Sequence, residues 1–163
     1  MKVLIYDRDI PLSDAVKEKV DRVIHADGKY APCQGCFKCW TKTPATCVMK
    51  DSLHEMCRII GSADDLVIVT ENWYGGYSPA VKNILDRSIG MSTPMSTYRG
   101  WQMHHTLRYG RQNSVRIYVT GEVSDKEKET WKLMAGRNAL NWGVSDYEVS
   151  FSDPFDDGEG ACL

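Results

Sequence analysis

Apolar and polar positions change period several times along the chain, and each change marks an element. Lys2, Val3, Leu4, Ile5 and Tyr6 form a short, nearly unbroken apolar run that stops at Asp7-Arg8-Asp9, which predicts a buried strand. Asp9 as an N-cap and Pro11 in the first turn then open a predicted helix. Its apolar positions Leu12, Ala15, Val16, Val20, Val23 and Ile24 recur at helical spacing, and Gly28 closes the unit. A weak extended piece is predicted near residues 29–32. Asp51 reads as the N-cap of another helix, with Leu53, Met56, Cys57 and Ile60 on one face and Gly61 as the stop. Residues 66–70, Leu-Val-Ile-Val-Thr, are apolar on both faces, as in a central parallel strand. After a loop over 71–77, Ser78-Pro79 opens a helix carrying Ala80, Val81, Ile84 and Leu85. Residues 91–113 hold Met91, Met95, Tyr98, Trp101 and Met103 without a clear period, and predict a long loop of the kind used for binding or contact. Residues 115–120 predict a strand, and Ser124 with Glu127 forms a capping box for a helix reaching about Trp142. Residues 147–151 predict the last strand.

Strand–helix alternation of this kind predicts an α/β domain over residues 1–151, with a five-stranded parallel sheet and helices on both faces. Residues 152–163, with Asp153, Asp156, Asp157 and Glu159, form an acidic tail predicted to fray. In such sheets ligands sit beyond the carboxyl ends of the strands, so the loops at 7–13, 71–78 and 121–124 are the ones to watch.

Composition narrows the function classes. The 163 residues suit one domain, and 20 basic against 22 acidic residues leave a formal net charge of -2. That balance argues against nucleic acid as the main partner. The apolar runs fall far short of the roughly 20 residues that span a bilayer. The N-terminus meets charge too early for a signal peptide, which predicts a cytoplasmic protein. No G-x-S-x-G elbow, Walker loop or H-E-x-x-H motif occurs.

Cysteine spacing carries the strongest local signal. Cys33, Cys36, Cys39 and Cys47 fall as C-x2-C-x2-C-x7-C. Four thiolates with two-residue gaps let one loop wrap an iron–sulfur cluster. Zinc takes four thiolates too, usually from two separated knuckles. Lys38 and Lys42 would favour thiolates electrostatically. Two further readings stay open: a thiol–disulfide switch, and free cysteines acting as small apolar residues. Cys57 belongs to a helical apolar face and reads as core, and Cys162 lies near the chain end.

Asn72, Trp73, Tyr74, Gly75, Gly76 and Tyr77 combine aromatic faces with glycines that let backbone approach a flat ligand, against the plainer reading of a tight turn capped by aromatics. His104 and His105 point to opposite sides of any regular element and do not grip one metal together. Arg108 and Arg111 suit an anion or a polar surface loop. Asp86 and Arg87 read as an ion pair at a helix end.

The stretch from Cys33 to Pro44, continued by Cys47-Val48-Met49-Lys50-Asp51, resembles the flavodoxin-like NAD(P)H-dependent FMN reductases, in particular the branch with iron–sulfur flavoproteins. Residues 74–87, from Tyr74-Gly75-Gly76-Tyr77-Ser78-Pro79 to Asp86-Arg87, are similar to the family's loop and helix after the third strand, which lie against the isoalloxazine ring. The resemblance implies a flavodoxin-like fold, bound FMN, and a homodimer or homotetramer. It implies a cofactor site at Asn72, Trp73, Tyr74, Gly75, Gly76, Tyr77 and Ser78, with the FMN phosphate met by Arg8 and Ser13. It also implies an iron–sulfur cluster on Cys33, Cys36, Cys39 and Cys47. The expected activity passes electrons from a reduced nicotinamide or other small carrier to a small acceptor. The first loop departs from the family pattern: Asp7-Arg8-Asp9-Ile10-Pro11-Leu12-Ser13 stands where glycine and small polar residues cradle the phosphate. The alternative is therefore a flavodoxin-fold module that has lost flavin and binds metal or protein.

Overall fold

The computed structural model describes residues 1–155. Five parallel strands form the main sheet in the order β2-β1-β3-β6-β7. They are β1 Lys2–Tyr6, β2 Arg22–His25, β3 Asp65–Glu71, β6 Ser114–Thr120 and β7 Asp146–Ser150. This is the flavodoxin-like arrangement, with the change of winding direction between β1 and β3. Alternate residues divide the sheet into two faces. Val3, Ile5, Leu66, Ile68, Val115, Ile117 and Val119 form one buried side. Against them pack α3 Met56–Gly61, α4 Pro79–Arg87 and α5 Asp125–Trp142, through Met56, Ile60, Val81, Ile84, Trp131, Ala135 and Ala139.

The opposite face is covered more thinly. Leu4, Tyr6, Val67, Val69 and Tyr118 are buried there by Leu12, by Val16 of α1 Asp14–Glu18, and by Phe155. Phe155 meets the Tyr6 ring edge-on at 6.2 Å. The acidic tail thus begins as packed structure at residues 152–155, and the rest of it lies outside the described residues.

Five expectations are corrected. The helix predicted to run from Asp9 to Ile24 is only five residues long, capped by Ser13, whose Oγ accepts from Val16 N. The chain then turns at once into β2, which pairs Leu4 with Val23 and Tyr6 with His25. Val20, Val23 and Ile24 are β-branched, and pairing to β1 outweighs their chance helical spacing. Second, the segment over 91–113 is not a loop but an antiparallel hairpin, β4 Ser92–Arg99 and β5 Gln102–Leu107, closed by Gly100 and Trp101, both at positive φ. Its faces alternate Met, Thr, Ser and His, so no apolar period announced it. Third, Asp51 does not cap α3, which starts at Met56; its carboxylate accepts from Leu53 N and pairs with Arg87. Fourth, Asp86 pairs with Lys82 at 2.7 Å rather than with Arg87. Fifth, no strand forms at residues 29–32.

Ser78 caps α4 with Pro79 at its first position, and Ser124 and Glu127 complete the capping box of α5. Both helices therefore start beyond the carboxyl ends of β3 and β6, fixing the far ends of the two loops that join them to the sheet.

Candidate functional site

Beyond the ends of β1 and β3 lies an open crevice of about 360 Å3, lined by Asp7, Gly28, Glu71, Trp73, Ser78 and Asn83 among others. It sits where the sheet changes winding direction, the usual ligand position in such folds. A larger cavity of about 450 Å3 lies on the flank between the cysteine loop and the hairpin, away from the strand ends. Position at the strand ends weighs more than volume, because there the parallel strands leave their loops and helix starts converging.

The turn beside the crevice is held rigidly. Trp73 N donates to Gly76 O and Gly76 N to Trp73 O, both at 3.0 Å. Tyr74 and Gly75 take φ of 52° and 80°. A methyl on Gly75 would stand 3.1 Å from Thr130 of α5, so glycine serves both the turn and the close helix contact. Asn72 ties this turn to the loop after β6. Its Oδ1 accepts from Gly75 N at 3.1 Å and from Trp131 Nε1 at 2.9 Å, while its Nδ2 donates to Glu122 O and Glu127 Oε1.

The structure therefore divides the expected cofactor residues by position. Trp73 and Tyr74 stand at the tip, with Tyr74 91% exposed. Gly76 forms the turn itself. Asn72, Tyr77 and Ser78 face inward: Tyr77 packs edge-on against Trp131 at 5.0 Å, accepts from Asn138 Nδ2, and has its phenol pushed up to about 12 by burial. The amides of Trp73, Gly75 and Gly76 bond within the turn, so its aromatic faces rather than those amides are what it offers a ring.

The first loop has a different character. The Asp7 carboxylate accepts from Thr70 Oγ1 at 3.1 Å and from Glu71 N at 3.0 Å, stitching the ends of β1 and β3 together. Arg8 is ion-paired with Asp153. Ser13 caps α1. Sequence reasoning missed Thr70, Asp153 and the structural use of Asp7; a threonine ending a fully apolar strand was the available signal.

The cysteine loop forms a second feature. Cys33 and Cys36 are exposed, Cys39 is half-buried and Cys47 is buried. All four line one small apolar cavity of about 110 Å3, closed by Phe37, Val48, Met49, Ile89 and Arg87. Short helix α2 Lys38–Thr41 starts from Phe37 at positive φ, and Trp40 Nε1 anchors it to Ile89 O at 3.1 Å. Burial, with the other three thiols nearby, pushes the Cys39 thiol up. Cys57, behind the loop, donates to Arg87 O and is pushed up to about 12 by burial. Among the described residues no three His, Cys, Asp or Glu side chains stand as a set for a single metal ion. Lys38 and Lys42 lie on the surface. Of the two histidines, His105 stands 4.6 Å from Trp40 and His104 bonds Asn141 Oδ1. Arg108 bonds Gly90 O.

The model of the NADPH-dependent FMN reductase family matches residues 7–102, more than half of the chain. The chain belongs to that family. Similar solved structures include an FMN-dependent NADH-azoreductase from Bacillus anthracis in complex with FMN, at 16% identity, with 91% of this chain and 84% of that chain covered and a TM-score of 0.54. A protein of Streptococcus mutans matches at 16% identity over 98% and 93% of the two chains, with a TM-score of 0.58. An NAD(P)H:quinone oxidoreductase from Methanothermobacter marburgensis matches at 12% identity over 99% and 91%, with a TM-score of 0.53. These likenesses establish the flavodoxin-like fold. No curated protein matches in sequence.

Membership brings the class of chemistry: an NAD(P)H-dependent oxidoreductase built around FMN. The residues present fit a flavin at the ring end, where the exposed aromatic turn flanks a crevice at the strand ends. In the first loop, where the sequence led us to expect the phosphate, Arg8 is engaged by Asp153.

Proposed function

We propose that the chain is an FMN-dependent oxidoreductase that takes electrons from a reduced nicotinamide and passes them to a small acceptor such as a quinone or a free flavin. The observation that carries this reading is the crevice between the ends of β1 and β3, flanked by the aromatic turn. FMN supplies the electron chemistry when bound; the protein supplies position and electrostatics. Trp73 and Tyr74 give the ring an apolar wall, and Gly75 keeps that wall close to α5. Arg8 meets the phosphate once Asp153 releases it, and Ser13 stands at the same end. Asp7 and Glu71 put negative charge beside the site, so a neutral acceptor enters more easily than an anionic one.

The finer reading is an iron–sulfur cluster held by Cys33, Cys36, Cys39 and Cys47. Its support is that these four thiols line one small apolar cavity, although among the described residues no three such side chains stand as a set for a single metal ion. A homodimer or homotetramer fits the hairpin, where Met95, Tyr98, Trp101 and Met103 are all exposed. We place the protein in the cytoplasm, where such thiols stay reduced. Among the described residues no helix is long and apolar enough to cross a membrane.

The test is titration of FMN with the purified protein, followed by mixing with NADH or NADPH and a quinone. Quenched flavin fluorescence and quinone-dependent loss of reduced nicotinamide are expected. Unquenched FMN and a colourless protein would overturn the reading and leave the flavin-free module in its place.

A further inference from the structure

One buried cation in this molecule has a bond left to make. The Arg87 side chain has no exposed surface. Its Nη1 donates to Ala31 O and Asp51 Oδ2, both at 2.8 Å, and its Nη2 donates to Asp51 Oδ1 at 2.6 Å. Its Nε is shut off from solvent and makes no hydrogen bond of normal geometry among the described residues, and the Cys47 thiol stands close to the guanidinium. Burying such a donor without an acceptor is costly, and native structures rarely leave one unmet. Arg87 also lines the cavity walled by Cys33, Cys36, Cys39 and Cys47. Asp51 balances the charge of the guanidinium but leaves its third edge unused.

We propose that Arg87 is a positioning residue for the cysteine cavity, its Nε–H donating to a sulfur of the iron–sulfur assembly held there. This rests on the cluster reading given above. When two ferrous and two ferric ions with four sulfides from solution assemble on the four cysteines, the four thiol protons leave to solvent, and the cubane core of two net positive charges becomes a dianion with its four thiolates. An anion in an apolar cavity needs hydrogen bonds as much as it needs ligands. The bidentate grip on Asp51 fixes the plane of the guanidinium, and therefore the direction of Nε–H. Lysine would keep the charge and lose that direction. A hydrogen bond to cluster sulfur also makes reduction easier.

The experiment is anaerobic reconstitution with equal amounts of ferrous and ferric iron and with sulfide, followed by three measurements: iron and acid-labile sulfide per chain, redox titration, and spin-echo modulation of the dithionite-reduced cluster in protein carrying nitrogen-15 only in arginine. Wild-type protein is expected to bind the cluster and show a weak coupling to arginine nitrogen. Arg87→Lys should hold less iron. At a fixed potential its oxidised-to-reduced ratio should rise about tenfold, which is about 59 mV for one electron. Wild-type protein that binds the cluster without any arginine coupling overturns the inference and leaves the cluster standing. So does a folded Arg87→Lys with unchanged iron content and titration. Should Arg87→Lys fail to fold, the nitrogen coupling in the wild type decides alone. Wild-type protein that takes up no iron overturns both the cluster and the role of Arg87.

Discussion

Arg87, with no exposed side-chain surface, grips both carboxylate oxygens of Asp51, at 2.8 and 2.6 Å. The pair joins the end of α4 to the segment following the cysteine loop, across 36 residues of sequence. It places a fixed cation behind the four thiols, and it sets the first two predictions.

Asp51→Asn leaves Arg87 buried without its counter-charge. Removing one partner of a buried pair costs about 3 kcal/mol. Urea unfolding should show a lower midpoint with an unchanged slope. A loss of less than about 0.5 kcal/mol, the range of ordinary surface changes, would mean that the pair adds little.

The acid limb of stability follows from the same contact. Hydrogen bonding to Arg87 holds the Asp51 carboxyl below its ordinary value of 3.8. A lowered folded-state value means that the contribution is fully present above 3.8 and is lost as pH falls through the lower folded value. Wild type and Asp51→Asn should therefore differ in stability at neutral pH and converge in strong acid. A difference that stays constant down to the lowest pH would contradict this.

Asp153 competes for Arg8 with any phosphate at the first loop. Asp153→Asn should tighten FMN binding roughly tenfold, or about 1.4 kcal/mol. Riboflavin has no phosphate, so its affinity should not move. Equal effects on both flavins would show that Asp153 acts through packing instead.

Gly90 lies directly under the cysteine loop. A methyl there would meet Cys57 Sγ at 2.8 Å and Cys39 Cβ at 2.9 Å. Gly90→Ala should cost about 1–3 kcal/mol by overpacking and lower iron uptake on reconstitution. Unchanged melting temperature and iron content would show that the loop shifts freely.

In metal-free protein the thiols should separate by alkylation rate. Cys33 and Cys36 are exposed, whereas Cys57 is buried with its thiol pushed from 9.0 to about 12. A shift of that size makes its thiolate about a thousandfold scarcer. Peptide mass mapping after brief iodoacetamide treatment at mildly alkaline pH should find Cys33 and Cys36 modified and Cys57 untouched. Early modification of Cys57 would show that the helix behind the loop opens readily.

Much of the architecture was legible before any coordinates. Residues 66–70 are apolar on both faces because β3 is central and covered from two sides, and caps such as Ser78 and Ser124 act within one helical turn. Such signals survive in sequence because their causes are local. The helix predicted across 9–24 failed because Val20, Val23 and Ile24 satisfy a helical spacing and a strand preference equally well. Contact with β1, a partner distant in the chain, settled the matter. The hairpin at 92–107 stayed hidden because its strands bury little and therefore carry no strong period.

The candidate sites divide in the same way. The sequence alone determined which residue types meet in each loop: four thiols at tight spacing, and aromatics with glycines after the central strand. Tertiary structure decided their use. It turned Asn72, Tyr77 and Ser78 into supports for the turn, tied Arg8 to Asp153, and brought Arg87 from another helix to the wall of the cysteine cavity. Those outcomes depend on burial and on partners far away in the chain, and spacing along a sequence records neither.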